Sequence, residues 1–224
     1  MRKPNILYED NHILVCVKPT GILSQSAGNQ RQDMLTWIKD FIKERDQKPG
    51  NVFLGLVHRL DSNVGGVMVF AKTSKGASRL SESIREHHFD KRYLALVEGN
   101  LEGHGELEHF LDKDEQRLMS VESTSQIGKK SRLSYQVLAH HALQGRPISL
   151  IDVHLETGRF HQIRSQFSLV GHPLVGDQKY GSSFPQLPLA LWAYRLQFPH
   201  PISKEPCFFT SEVEIDGIPS FLWK

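Results

Sequence analysis

The sequence predicts an α+β protein with a mostly antiparallel sheet. Short apolar runs rich in Val, Ile, Tyr and Phe recur along the whole chain, many alternating with polar residues. Only three stretches carry helical spacing. Those three do not alternate regularly with the strands, as a doubly wound fold would require.

Residues 5–21, NILYEDNHILVCVKPTG, read as two short strands joined at Asp10-Asn11 and stopped by Pro19 and Gly21. Over residues 33–45, Met34, Ile38, Phe41 and Ile42 share one helical face. Strands are expected around 52–57 and 67–71. A second helix should follow with Ser74 as its N-cap and Ala77, Leu80 and Ile84 inward. RYLALVEG, SRLSYQVLA and SLIDVHLE are strands. A short helix from about Phe160 would place Phe160, Ile163, Phe167 and Val170 on one face, and ALWAYRLQF and CFFTSEVEI supply late strands.

A chain of 224 residues, 39% hydrophobic, suits one large domain or two small ones, and no repeat or long linker divides it. Its formal net charge of +2 is too small for a dedicated nucleic-acid coat, so any basic binding surface must be local. Cys16 and Cys207 lie far apart without a Cys-x-x-Cys pattern, which suits reduced thiols in a cytosolic protein. The first residues contain no signal-peptide run, and no stretch approaches the ~20 apolar residues of a membrane span. The expectation is a soluble cytoplasmic protein.

Two segments are rich in reactive groups that a core does not need. The first is His58-Arg59-Leu60-Asp61, set between two apolar runs in GLVHRLDSNVGGVMVFAK. The second is ETGRFHQIRSQFSLVGHPLVGDQKYG, residues 156–181. Taken singly they are bland. Asp61 reads as a turn aspartate, Arg164 as a solvated helix residue, and His161 and His172 as surface histidines.

In this order, HRLD with its following glycine and AK, then KRYLALVEG, TGRFHQIR and GHPLVGDQKYG resemble the RNA pseudouridine synthase family, in its large-subunit type A class. The resemblance runs from about Ile6 to Val213. It implies the pseudouridine synthase fold, a mixed, mostly antiparallel sheet flanked by helices and loops with a central catalytic cleft. It also implies a single catalytic domain over residues 1–224. The reaction breaks the bond from ribose C1′ to uracil N1, turns the base and joins C1′ to C5. It needs no redox partner or group donor, so no cofactor and no metal are expected, and the sequence holds no GxGxxG, phosphate loop or Cys/His ligand spacing. It does need an ionised carboxylate near C1′, which either attacks that carbon or helps form a glycal.

By this resemblance Asp61 is the catalytic carboxylate. Arg164, the second arginine of GRFHQIR, keeps it ionised against desolvation. Tyr93 stacks on the flipped uracil and assists proton removal from C5, and Ile163 packs on the uracil face. His58 and Arg59 hold the space left by the base or touch phosphate, and Arg159 and His161 join the substrate-binding set. Flipping costs a few kcal/mol, part of it recovered by stacking, so phosphate contacts must supply affinity. Residues 72–92 carry six basic residues, Lys72 and Arg92 among them, against three acids. Lys129, Lys130 and Arg132 form a second basic cluster with no acid among them.

The family commonly has Thr-Ser-Gly where this chain has Val64-Gly65-Gly66, so an extra glycine is expected to loosen the turn. Many relatives carry an N-terminal S4 RNA-binding module, which this chain is expected to lack. The implied partner is ribosomal or transfer RNA, with no membrane, and the expected state is a monomer. Two competing readings are a catalytically silent RNA-binding or ribosome-assembly factor on the same fold, and a nucleoside or glycoside hydrolase. Intact Asp61, Tyr93 and Arg164 speak against the first, and the lack of a second catalytic carboxylate against the other.

Overall fold

The structure, a computed structural model, describes residues 3–26, 32–123 and 128–224. In chain order its elements are β1 (Asn5–Glu9), β2 (Ile13–Lys18), α1 (Met34–Arg45), β3 (Gly55–Leu56), β4 (Gly65–Ala71), α2 (Ser74–Arg85) and β5 (Asp90–Glu98). There follow β6 (His104–Asp114), β7 (Met119–Glu122), β8 (Lys129–Leu143), β9 (Arg146–Leu155), α3 (Gln162–Leu169), β10 (Leu191–Pro199) and β11 (Pro206–Thr210). The chain divides into two compact units, Met1–Asp90 with Ala193–Glu214, and Lys91–Trp192 with Ile215–Lys224. None of the helices is long and apolar enough to cross a membrane among the described residues.

In the first unit β2 pairs antiparallel with β1 on one side and with β4 on the other, in a register running from Ile13↔Ala71 to Lys18↔Gly66. Both β2 and β4 are buried on both faces, which is why each reads as a continuous apolar run rather than an alternating one. The turn between β1 and β2 is closed by Asp10, whose Oδ1 accepts the N–H groups of His12 and Ile13 at 2.7 Å each. Ile13, Val15, Val67, Val69, Leu80, Phe89, Leu196 and Phe198 belong to one core cluster of this unit.

The two helices of the unit start where side chains can cap them. Asp33 accepts from the Thr36 N–H at 2.9 Å and buries Met34, Trp37, Ile38 and Ile42 behind it. Trp37 joins the expected face, and Phe41 stays half-buried with the Arg45 guanidinium over its ring. The expected cap of α2 moves by one residue. Thr73, not Ser74, holds the extended cap conformation and accepts from the Gly76 N–H. The expected strand around 52–57 shrinks to Gly55–Leu56.

In the second unit the strand order is β5-β9-β8-β6-β7, and neighbouring strands pair antiparallel. β8 runs far past the apolar segment that announces it. β6 and β7 stand outside the sequence expectation. HGELEHFLDKD is a half-exposed strand whose charged residues hide its alternation. α3 is shorter than expected and not simply amphipathic. Phe160 precedes it and Val170 ends it, both exposed, while Gln162, Arg164, Ser165 and Gln166 are buried beside Ile163 and Phe167.

Candidate active site

The first unit carries the His58–Asp61 loop between β3 and β4. Two buried side chains hold it from behind. Ser24 receives the Leu60 N–H at 3.0 Å and donates its hydroxyl to the Leu60 carbonyl at 2.8 Å, so both main-chain groups of the residue before Asp61 are satisfied by one serine. Lys18, fully buried, sends its Nζ to the carbonyls of Pro19, Ile22 and Ser62 at 3.0, 2.6 and 3.1 Å. Burial pushes its ammonium pKa down to about 8, against the opposing pull of the Asp61 charge. Asp61 is half-buried, and its own carbonyl closes a turn by accepting the Val64 N–H at 3.1 Å.

His58 accepts the Val69 N–H on Nε2 at 3.0 Å, and its ring meets Phe89 edge-on. That bond leaves the proton on Nδ1 and makes His58 a brace between loop and strand. Arg59 is exposed and reaches Gln25 at 3.1 Å. The glycines after the loop do not loosen a turn, because Gly65 and Gly66 are already strand residues of β4. Gly66 has φ +126°, and a Cβ there would lie 2.2 Å from the Ala193 carbonyl oxygen, so it serves close backbone packing.

The second unit carries the remaining residues. Tyr93 is buried on β5 opposite Val153. Arg164 is buried and makes a bidentate pair with Asp177, Nε to Oδ2 at 2.6 Å and a terminal nitrogen to Oδ1 at 2.7 Å. Its guanidinium also lies over the Tyr180 ring. The sequence reading did not assign a role to Asp177. Its signal was present in GHPLVGDQKYG, but nothing along the chain ties that aspartate to an arginine thirteen residues earlier. Ile163 is only 4% exposed, so its side chain packs into the unit.

A ladder of buried amides fixes the start of α3. Gln162 Oε1 accepts from the Thr157 hydroxyl and the Arg159 N–H, while its Nε2 donates to the Arg132 carbonyl and to Gln166 Oε1. Gln166 continues to the carbonyls of Leu107 and Ser131. Neutral amides satisfied at both ends suit a buried helix, where charges would be costly. His161 caps α3 in the left-handed region and meets the Tyr180 hydroxyl at 3.0 Å. That hydroxyl also accepts the Ser120 N–H. Burial, then the Arg164 charge, lowers the His161 pKa to about 3, so the imidazole is neutral at physiological pH.

The basic surface differs from the expectation. Lys72 is tied to Glu9 at 2.7 Å and to the Asp10 carbonyl, so the β1–β2 connection occupies it. Arg92 points away from the Tyr93 face and pairs with Asp152 at 2.9 Å. The cluster at 129–132 lacks acids along the chain but meets them across strands. Lys130 pairs with Glu108, and Arg132 with Glu106, Glu108 and Glu156. Lys129 is exposed without an ion pair among the described residues. Arg159 is exposed, its Nε donated to the Lys130 carbonyl. No group of three or more His, Cys, Asp or Glu residues could hold a metal ion among the described residues.

The model of the RNA pseudouridylate synthase family matches residues 12–169, a span that includes His58–Asp61, Tyr93 and Arg164. Over 178 residues the chain is 34% identical to the ribosomal large subunit pseudouridine synthase D of Yersinia pestis, covering 79% of this chain and 52% of that protein. The protein of the same name from Zymomonas mobilis is 32% identical, with 94% of this chain and 69% of that protein covered. This chain thus spans about half to two thirds of the length of these relatives. Among solved structures, human RNA pseudouridylate synthase domain containing 1 superimposes with a TM-score of 0.75 at 24% identity, over 93% of this chain and 83% of that one. Its domain containing 4 counterpart gives 0.74 at 22% identity, over 97% and 90%. At those identities the likeness is one of fold, and it agrees with the α+β, mostly antiparallel architecture seen here. Matched over most of its length by that family's model, the chain belongs to the RNA pseudouridylate synthase family.

Proposed function

We propose that the chain isomerises specific uridines of ribosomal or transfer RNA to pseudouridine, with the Asp61 carboxylate as the group that acts at ribose C1′. The observation that supports this reading best is the construction of the loop. Ser24 and Lys18 hold the main chain around Asp61 with three hydrogen bonds, at the Leu60 N–H, the Leu60 carbonyl and the Ser62 carbonyl, and two more from Lys18 tie that loop to the carbonyls of Pro19 and Ile22, while Asp61 itself is half-buried. Preorganisation of that kind lets a charge act without reorganising when the reaction begins.

In the reaction the N1–C1′ bond breaks, C5–C1′ forms, the C5 proton leaves to solvent and N1 gains one. Tyr93 is assigned to stacking on the uracil, Arg164 to supplying positive charge for the reaction, and Arg59 to the place vacated by the base. Ile163, His161 and His58 act from within their units by shaping the surfaces that carry these groups. Phosphate contacts fall to exposed cations such as Lys129. The relatives' names refer to the large ribosomal subunit, which makes its RNA the first substrate to try. We further propose that residues 1–224 work as a single catalytic domain, monomeric and in the cytoplasm.

The test is to incubate the protein with unmodified transcripts of large-subunit ribosomal RNA and of transfer RNAs, then digest to nucleosides and separate them by mass spectrometry after cyanoethylation. Pseudouridine is the expected product. Free uracil would make the protein a hydrolase, and tight binding without either product would make it a silent RNA-binding factor.

A further inference from the structure

In the second unit two positive charges lie together with no carboxylate at ion-pair distance among the described residues. Lys91 is the second residue of β5, and strand alternation puts it on the same face as Tyr93, about 6.7 Å further along the strand. Gly158 passes over its head, so closely that a Cβ there would lie 3.5 Å from the Lys91 Nζ. Arg159 is the next residue. Its Nε is anchored on the Lys130 carbonyl and its N–H on Gln162 Oε1, which fixes where the rest of the guanidinium sits. The Lys91 pKa is lowered, first by burial and then by the charge of Arg159, so the two cations feel each other.

Their neighbours are treated differently. Arg92, Lys130, Arg132 and Arg164 each have a carboxylate within ion-pair distance. Lys91 and Arg159 have none among the described residues. A partly buried ammonium beside a guanidinium is a costly arrangement unless an anion completes it. The exposure of Arg159 keeps the place open to a ligand from solvent.

We propose that Lys91 and Arg159 form a phosphate-binding pair that takes an RNA phosphodiester next to the nucleotide stacked on Tyr93. The assignment rests on the RNA-modifying reading given above. Its geometry is that of one nucleotide, with the base against the aromatic residue and the backbone two strand positions away. Lys91 supplies a compact charge from below, and Arg159 the planar donors that suit phosphate oxygens. Such a pair would fix the strand's register without reading its sequence.

The experiment is a titration of a short fluorescein-labelled oligouridylate by anisotropy at a series of salt concentrations. Lys91→Gln and Arg159→Gln should each reduce the slope of log K against log salt by about 0.7, the value for one single-strand phosphate contact, and weaken binding on the order of tenfold at ~0.1 M salt. Lys91→Arg, which keeps the charge, should restore the slope and thereby separate lost charge from lost folding. Lys48→Gln, whose lysine already faces Asp46, should leave the slope unchanged. Unaltered slopes in Lys91→Gln and Arg159→Gln, a lost slope in Lys91→Arg, or wild-type protein that binds no RNA would each overturn the assignment. Loss of slope in the two glutamine variants of a protein that forms no pseudouridine would keep the phosphate pair and remove the isomerase reading.

Discussion

Arg164 and Asp177 are paired with their side chains 8% and 1% exposed, through two bonds of 2.6 and 2.7 Å. Asp177→Asn keeps the shape of the side chain and removes its charge. The guanidinium then sits in a low-dielectric setting with a neutral partner, a change that typically costs about 3–5 kcal/mol. With a urea m-value of roughly 2 kcal/mol/M, a loss of about 3 kcal/mol lowers the unfolding midpoint by roughly 1.5 M. The measurement is urea denaturation followed by circular dichroism for wild type, Asp177→Asn, Arg164→Met and the double variant. The double variant should be less destabilised than the sum of the singles by about 2 kcal/mol, because it no longer buries a charge beside its missing partner. A loss below ~1 kcal/mol in Asp177→Asn, or strict additivity, would refute the reasoning. Activity should fall in the same variant, since Asp177 sets the direction of the Arg164 fork.

Three further outcomes follow from the first unit. Ser24→Ala leaves the buried N–H and C=O of Leu60 without their partner, which should cost about 1–3 kcal/mol in a thermal melt and lower activity by loosening Asp61. Gly66→Ala puts a Cβ 2.2 Å from the Ala193 carbonyl oxygen at a φ of +126°, and should cost more than ~3 kcal/mol or abolish soluble expression. Lys18 titrates at about 8 when folded, below its ordinary 10.5, so between these values the unfolded chain binds more protons and stability rises with pH. The gain should reach about 3 kcal/mol above pH 10.5 and disappear as pH falls through 8. Lys18→Met should abolish that rise, and by removing a positive charge that interacts with Asp61 it should move the acid limb of the pH–rate profile to higher pH. A profile unchanged by Lys18→Met would show that the lysine serves the loop's main chain alone.

Strands buried on both faces and helices with one apolar face were legible along the chain, because burial writes itself into β2 and β4 as runs and into α1 and α2 as periods. β6 was not, since exposed Glu106, Glu108 and Asp112 carry no burial signal. α3 was misread at both ends for the opposite reason. Its buried Gln162 and Gln166 look like surface residues until their carbonyl partners, far away in sequence, are known. The site shows the same division. His58–Asp61, Tyr93 and Arg164 were singled out because local segments resemble a family whose chemistry needs them. Asp177, Ser24 and Lys18 act through contacts between segments, and no spacing rule announces them. The acids that face Lys130 and Arg132 were not legible either, because they lie on β6 and at Glu156, across the sheet and not along the chain.

The most direct measurement is tritium release from RNA labelled at uridine C5, comparing wild type with Asp61→Ala. C5 loses its hydrogen only when it becomes the new glycosidic carbon. Release by wild type and none by Asp61→Ala is the predicted result. Equal release by both would show that another group supplies the carboxylate's role. No release by wild type from ribosomal and transfer RNA transcripts that it binds would contradict the isomerase reading.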